Sequence, residues 1–280
     1  MDRRIRLSSL LALWVFSFPG LSVFSLPDQK LTAPANAQRF TPELFKQFVE
    51  MRAGSGEPIY WYCLGELYSY PDGRLLAKVE GVDTARLVPS ETTADRAVQI
   101  SRKIFIYRDT MTNAVLKIVD GKPVRPIEYP YQHITYSLKD GRLVSFVEQG
   151  SAPRLQKIGP IGGASFKRFG DGTVFAVPLF LSFDTPRGRS ESYENYDFWI
   201  NPKSQDQKYQ LSWNRFGDLP PFLGAGKGVM QLVSYRRDSY ESLPATIRDY
   251  LENEAPLWKL PPKDLNEIRE LQQGATPAIK

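Results

Sequence analysis

Apolar and polar positions alternate along most of this chain, and the alternation has the period of a strand rather than of a helix. Ten runs rich in Val, Ile, Tyr, Phe and Trp read as strands: Ile59–Tyr70, Leu75–Val88, Val98–Arg108, Val115–Val119, His133–Leu138, Leu143–Glu148, Val174–Phe183, Tyr193–Ile200, Tyr209–Phe216 and Val229–Arg236. Asp-Gly pairs at 72–73, 120–121, 140–141 and 171–172 separate several of them, and Asp140-Gly141 between two alternating runs is the clearest hairpin. Strands in such succession, with no helices between them, predict a mainly β fold. The expected architecture is a single antiparallel barrel-like or strongly curved sheet of about ten strands, because closure removes exposed edges.

Helical spacing is confined to the two ends. Thr41–Arg52 carries Leu44, Phe45, Phe48 and Met51 at helical intervals, with Thr41 as N-cap and Pro42 in the first turn. Leu243–Glu254 and Pro261–Leu271 predict two short C-terminal helices. No repeat and no long linker divides residues 38–280, so they are expected to form one β-rich domain with its core at about residues 45–262.

Residues 1–37 read as a signal peptide. Arg3, Arg4 and Arg6 precede the apolar run Leu10–Phe18, Pro19-Gly20 interrupts it, and Ala35-Asn36-Ala37 has the small-x-small form of a cleavage site. Arg3-Arg4 raises twin-arginine export, but its flanking residues fit that motif poorly and favour the general route. The competing reading is an uncleaved anchor, since Leu7–Leu26 has about the 20 residues a span needs. Cleavage predicts an exported protein of the periplasm or thylakoid lumen.

Composition then narrows the chemistry. The 280 residues are 42% apolar, 12% aromatic and 24% charged, which is globular. Removing residues 1–37 takes away four Lys/Arg and two Asp/Glu, so the formal charge falls from +5 to +3 with no basic stripe. Nucleic acid is therefore not an expected partner. One His (His133) and one Cys (Cys63) exclude zinc sites built from several such ligands, iron–sulfur clusters and a CxxC redox pair. No metal and no cofactor are expected. Gly224–Gly228 (GAGKG) fails as a phosphate loop, because Gly228 stands where Ser or Thr must follow Lys227.

The candidate site residues come from the aromatic strands. Tyr60, Trp61 and Tyr62 offer an aromatic wall, or ordinary core, and Cys63 among apolar neighbours is expected to be inert. His133, Thr135 and Ser137 share one strand face. His133 becomes an acid/base candidate if that face lines the interior, and is ordinary if it faces water. In Tyr193–Ile200, Tyr196 falls on an apolar face, while Asn195, Asp197 and Trp199 share a mixed one that resembles a small-molecule pocket. Trp213 and Arg215 precede a glycine-rich loop, and Arg215 or Arg236 is available to hold an anionic group.

Tyr60–Gly65 (YWYCLG), Glu194–Phe198 (ENYDF) and Gly217–Leu223 (GDLPPFL), followed by Leu243-Pro244 and Ala255-Pro256, resemble the exported bacterial family catalogued as domain of unknown function 1838. The resemblance covers roughly Phe45–Pro262, and the leader ending Ala-Asn-Ala-Gln is similar to those of cyanobacterial exported proteins. It implies a β-rich exported domain and brings no activity or catalytic residues.

Three functional readings follow. In the first, the β-barrel-like domain binds an apolar or aromatic small molecule, such as a pigment, lipid or terpenoid, through Tyr60, Trp61, Tyr62, Asn195, Trp199, Trp213, Arg215 and Arg236. In the second, an enzyme performs acid/base chemistry on such a ligand with His133, Asp197 and Tyr196. In the third, the protein is a structural partner of a membrane complex, whose signature is a large exposed apolar patch. The expected partners are a hydrophobic small molecule and, by peripheral association, a membrane.

Overall fold

The computed structural model describes residues 39–150, 156–185 and 188–273; the expected signal peptide lies outside them. The strands are β1 (Ile59–Tyr70), β2 (Leu75–Leu87), β3 (Arg96–Arg108), β4 (Ile118–Val119), β5 (Lys122–Pro123), β6 (Ile127–Lys139), β7 (Arg142–Gln149), β8 (Gln156–Ile161), β9 (Ser165–Phe169), β10 (Gly172–Thr185), β11 (Gly188–Ile200), β12 (Tyr209–Asp218) and β13 (Lys227–Arg237). The helices are α1 (Pro42–Ala53), α2 (Ala245–Asn253) and α3 (Leu265–Gln272), with a 3-10 turn at Pro256–Lys259. Eleven strands form one antiparallel sheet in the order β8-β7-β6-β3-β2-β1-β13-β12-β11-β10-β9. It curls into a half-barrel whose edge strands, β8 and β9, are consecutive in the chain and joined through residues 162–164.

The expected mainly β, strongly curved sheet is present, with two differences in its inventory. Val115–Val119 is not a strand of the sheet: Val115 makes only an isolated bridge to Arg108 of β3, and Ile118–Val119 pairs with β5 as a separate two-stranded ladder. Strands β8 and β9 had no sequence signal, because QKIGPI and SFKRF are short and flanked by Gly and Pro. The Asp140-Gly141 hairpin forms as read. Both residues adopt positive φ (52° and 71°), which a two-residue turn matched to strand twist requires. The β9–β10 turn is Gly170-Asp171, one residue earlier than expected, and Gly170 takes the positive φ.

Inside the curl lies α1. The Thr41 hydroxyl accepts from the Leu44 N–H at 3.3 Å, capping the helix where the sequence suggests. Phe48 packs edge-on against Tyr136, Phe175 and Phe198, with ring centroids 5.4–5.9 Å apart. At the other helix end the Arg236 guanidinium donates to the Glu50 and Met51 carbonyls at 2.7 and 3.2 Å, satisfying last-turn acceptors.

Outside, α2 and α3 cover only the β1–β2–β3–β6 part of the sheet. Tyr60, Tyr62, Val82, Ile104 and Ile106 bury against Leu243, Ile247 and Leu251, and Ile100 and Tyr131 bury against Ile268 and Leu271. Two buried arginines fasten these helices. Arg102 donates to the Pro130 and Leu260 carbonyls and pairs with Glu267 of α3. Arg108 donates to Glu80 at 2.6 Å, and Glu80 also accepts from Tyr62 and from Thr246 of α2, both at 2.8 Å. Among the described residues no helix is long and apolar enough to cross a membrane.

Candidate functional site

The alternation of each strand assigns its side chains to the two faces of the curl. Facing inward are Phe105 and Lys103 of β3, Tyr129, Gln132 and Ile134 of β6, Val147 and Gln149 of β7, Ile158 of β8, Val177, Leu179 and Leu181 of β10, Glu194, Tyr196 and Phe198 of β11, and Trp213 and Arg215 of β12. With Phe48 and Arg52 of α1 they line a cavity of about 330 Å³ that is open on one side. That lies within the range of pockets holding small organic ligands. A second space of about 30 Å³ shares Arg52, Lys103, Phe105, Tyr196 and Trp213 with the first and adds Trp61, Cys63, Asp83 and Ser234.

The wall between β2 and β12 depends on a missing side chain. A Cβ on Gly81 would stand 2.1 Å from the Phe105 ring and 2.3 Å from the Ile104 carbonyl. Glycine therefore lets the Phe105 ring lie against the strand, where it stacks on Trp213 at 5.8 Å and 17°.

Polar groups in the lining form three sets. The first is a ladder across neighbouring strands: Ser101 donates to Gln132 at 3.3 Å, Gln132 to Gln149 at 2.6 Å, and Gln149 to Gln156 at 3.0 Å. In the second, buried Glu194 accepts from Tyr196 at 2.7 Å and Trp213 at 3.2 Å and pairs with Arg215 at 3.5 Å. Burial, then the Glu194 charge, raises the Tyr196 phenol well above its ordinary pKa, so it is a neutral donor. The third set is incomplete. Asp83, 4% exposed, has one carboxylate oxygen 3.9 Å from both Arg52 and Lys103, while its Oδ1 is buried without a hydrogen-bond partner. The register explains the gathering, because Lys103, Asp83 and Trp61 are directly opposite on β3, β2 and β1. Burial opposes the Arg52 charge, yet Tyr136 and Asp83 hold its pKa above the ordinary value.

The residues expected from the sequence divide between the two faces. Tyr196, Trp213 and Arg215 line the main cavity, and Trp61 lines the small one. Asn195, Asp197 and Trp199 lie on the outer face; Asn195 donates to Asp197 at 2.7 Å, and Trp199 stacks on Phe169 at 6.0 Å. The mixed face of β11 thus points out, because its partner face carries Phe198 and Tyr196 into the core. Tyr60 and Tyr62 also point out and are buried under α2. Arg236 is spent on the α1 carbonyls. His133 shares the outer face of β6 and stands opposite Glu148 of β7, with Nδ1 and Oε2 at 3.5 Å. The acid/base constellation of His133, Asp197 and Tyr196 is therefore not assembled: two members face outward, on distant strands, and the third faces inward. Cys63 is buried and accepts from Ser234 at 2.9 Å; burial pushes its thiol pKa up to about 12.

Sequence reasoning missed Arg52, Asp83, Lys103 and Glu194. Arg52 read as the last residue of an amphipathic helix, but it is buried. The signal was available in the strands, since Asp83 interrupts the small-residue face Ala77-Val79-Gly81-Ala85. Among the described residues no group of three or more His, Cys, Asp or Glu is placed to hold a metal ion.

The chain matches no protein-family model and no curated protein. A solved structure from Parabacteroides distasonis, provisionally described as a lipoprotein, is similar at 12% identity over 64% of this chain and 94% of that one. Its TM-score of 0.17 is too low to bear on fold or function.

Proposed function

We propose that this protein carries an apolar or aromatic small molecule of the pigment, lipid or terpenoid class inside its half-barrel. The observation that carries the reading is the cavity of about 330 Å³, in which Ile127, Ile134, Val147, Ile158, Val177 and Leu179 present aliphatic surface beside the polar sets described above. Interiors normally pack to crystal-like density, so a void of this size in an otherwise dense aromatic core is a feature that needs an occupant. Export to the periplasm or thylakoid lumen belongs to the same proposal, on the strength of residues 1–37 and of the segments that resemble domain of unknown function 1838. Peripheral membrane association, as the place of loading, is supported by exposed ring pairs on the outer face, Phe180–Tyr193 and Tyr70–Phe216, at 4.9 and 5.0 Å. The enzymatic reading loses support because its proton-transfer groups lie on opposite faces.

The test is uptake of the neutral dye N-phenyl-1-naphthylamine, followed by its fluorescence and by energy transfer from the tryptophans, of which Trp213 lines the cavity. The mature protein is expected to bind it at one site, and Leu179→Trp, which fills the cavity, is expected to abolish binding while leaving the far-UV dichroism intact. Absence of dye uptake, together with no organic-extractable ligand in the native protein, overturns the proposal.

A further inference from the structure

We infer that the carried molecule is an anionic amphiphile, a single carboxylate on a hydrocarbon body, with its head group set between Arg52 and Lys103. This deepens the carrier reading and rests on it.

The argument starts from charge. The two spaces are lined by Arg52, Lys103, Arg215, Asp83 and Glu194. Arg215 pairs with Glu194, whose oxygens are also satisfied by Tyr196 and Trp213. Arg52, Lys103 and Asp83 remain, and they sum to one uncompensated positive charge away from bulk water. Buried charge without a counter-charge is costly, so a site with a standing excess of +1 favours a monoanion. A phosphate monoester carries about −1.5 to −2 and exceeds the excess, a neutral alcohol leaves it in place, and a cation doubles it.

Geometry supports the same conclusion. The protein contains a finished buried ion pair for comparison: Glu80 meets Arg108 at 2.6 Å, and hydroxyls from Tyr62 and Thr246 fill its remaining sites. At Asp83 both cations stand back at 3.9 Å, and one carboxylate oxygen is left without a donor. Lys103 and Arg52 line both spaces, so an anion between them is reached from the main cavity. The small space of about 30 Å³ beside the unpartnered Asp83 Oδ1 admits one water, which can donate to Asp83 and to the ligand. Beyond the head group Ile127, Ile134, Val147, Val177 and Leu179 give aliphatic surface suited to a hydrocarbon body, beside a glutamine ladder whose amides are already hydrogen-bonded to one another.

The experiment is calorimetric titration of the delipidated mature protein with dodecanoate, dodecanol and dodecyl phosphate, each below its micelle concentration or solubility limit, beside Lys103→Met and Lys103→Arg. Dodecanoate is expected to bind about tenfold or more tighter than dodecanol. Lys103→Met is expected to remove that preference, and Lys103→Arg to keep it. Equal affinity for acid and alcohol, a stronger preference for the phosphate, or a Lys103→Met variant that keeps the preference overturns the head-group assignment. If Lys103→Met does not fold, the acid-to-alcohol ratio of the unsubstituted protein decides. Binding of neither these ligands nor the neutral dye instead overturns the carrier reading.

Discussion

Asp83→Asn gives the sharpest reading of the interior charge. The substitution is close to isosteric, so it creates no cavity and changes one thing, the negative charge facing Arg52 and Lys103 at 3.9 Å each. With an effective dielectric near 20, each attraction is on the order of 4 kcal/mol before desolvation. Removing one partner of such a buried set leaves the others uncompensated, for a net loss of about 3–5 kcal/mol. Urea unfolding of the delipidated protein measures it. For an m-value of about 3 kcal/mol/M, the midpoint is expected to fall by about 1–2 M. Dodecanoate, which returns a negative charge to the cluster, is expected to raise the midpoint of Asp83→Asn by more than it raises that of the unsubstituted protein. A fall below about 0.3 M, equivalent to less than about 1 kcal/mol, would show that the carboxylate does not hold the two cations and would refute the charge argument.

Three further outcomes follow from the structure. Glu80→Ala strands the Arg108 guanidinium beneath α2 and is expected to cost about 3–5 kcal/mol in urea unfolding, while Glu80→Met with Arg108→Met recovers most of it; equal loss in both variants would contradict the pairing. Cys63, with its thiol pKa raised to about 12 by burial, is expected to resist aromatic disulfide reagents at neutral pH until the protein is denatured; prompt labelling of the native state would place it at the surface. Lys227 and Ser190 hold the Asp218 carboxyl below its ordinary pKa, so its contribution is complete above the unfolded carboxylate value of about 3.9 and is lost as pH falls through the lower folded value. Asp218→Asn should therefore flatten the acid limb of a melting-temperature profile, and an unchanged limb would assign that slope to other groups.

Much of the architecture was legible because strand alternation and Asp-Gly turns are local properties. The helix bounds moved by only a few residues at each end, and Thr41 and Asp264 supply caps where α1 and α3 begin. The sites were less legible, for a physical reason. Alternation sorts Tyr193–Ile200 and His133–Leu138 into two sets each, but only tertiary packing decides which set faces in. The polar set of β6 turned outward toward α3 and β7, taking His133 with it; Asn195 and Asp197 turned outward because Phe198 was needed against Phe48. The cationic cluster was hidden for the opposite reason. Arg52, Asp83 and Lys103 are single charges scattered over three elements, and they become one group only when β2 and β3 align in register beneath α1.

The seam of the half-barrel has a consequence for how the molecule can be divided. Strands β8 and β9 are neighbours in the chain but not partners in the sheet, so cutting the backbone at residues 162–164 severs no ladder. Each resulting fragment keeps its own meander of hairpins. The two would still have to find each other through β1 and β13, whose eleven paired residues run from Tyr60–Arg237 to Tyr70–Lys227. The chain is thus a natural candidate for a split reporter, with reassembly of the two fragments rebuilding the hollow.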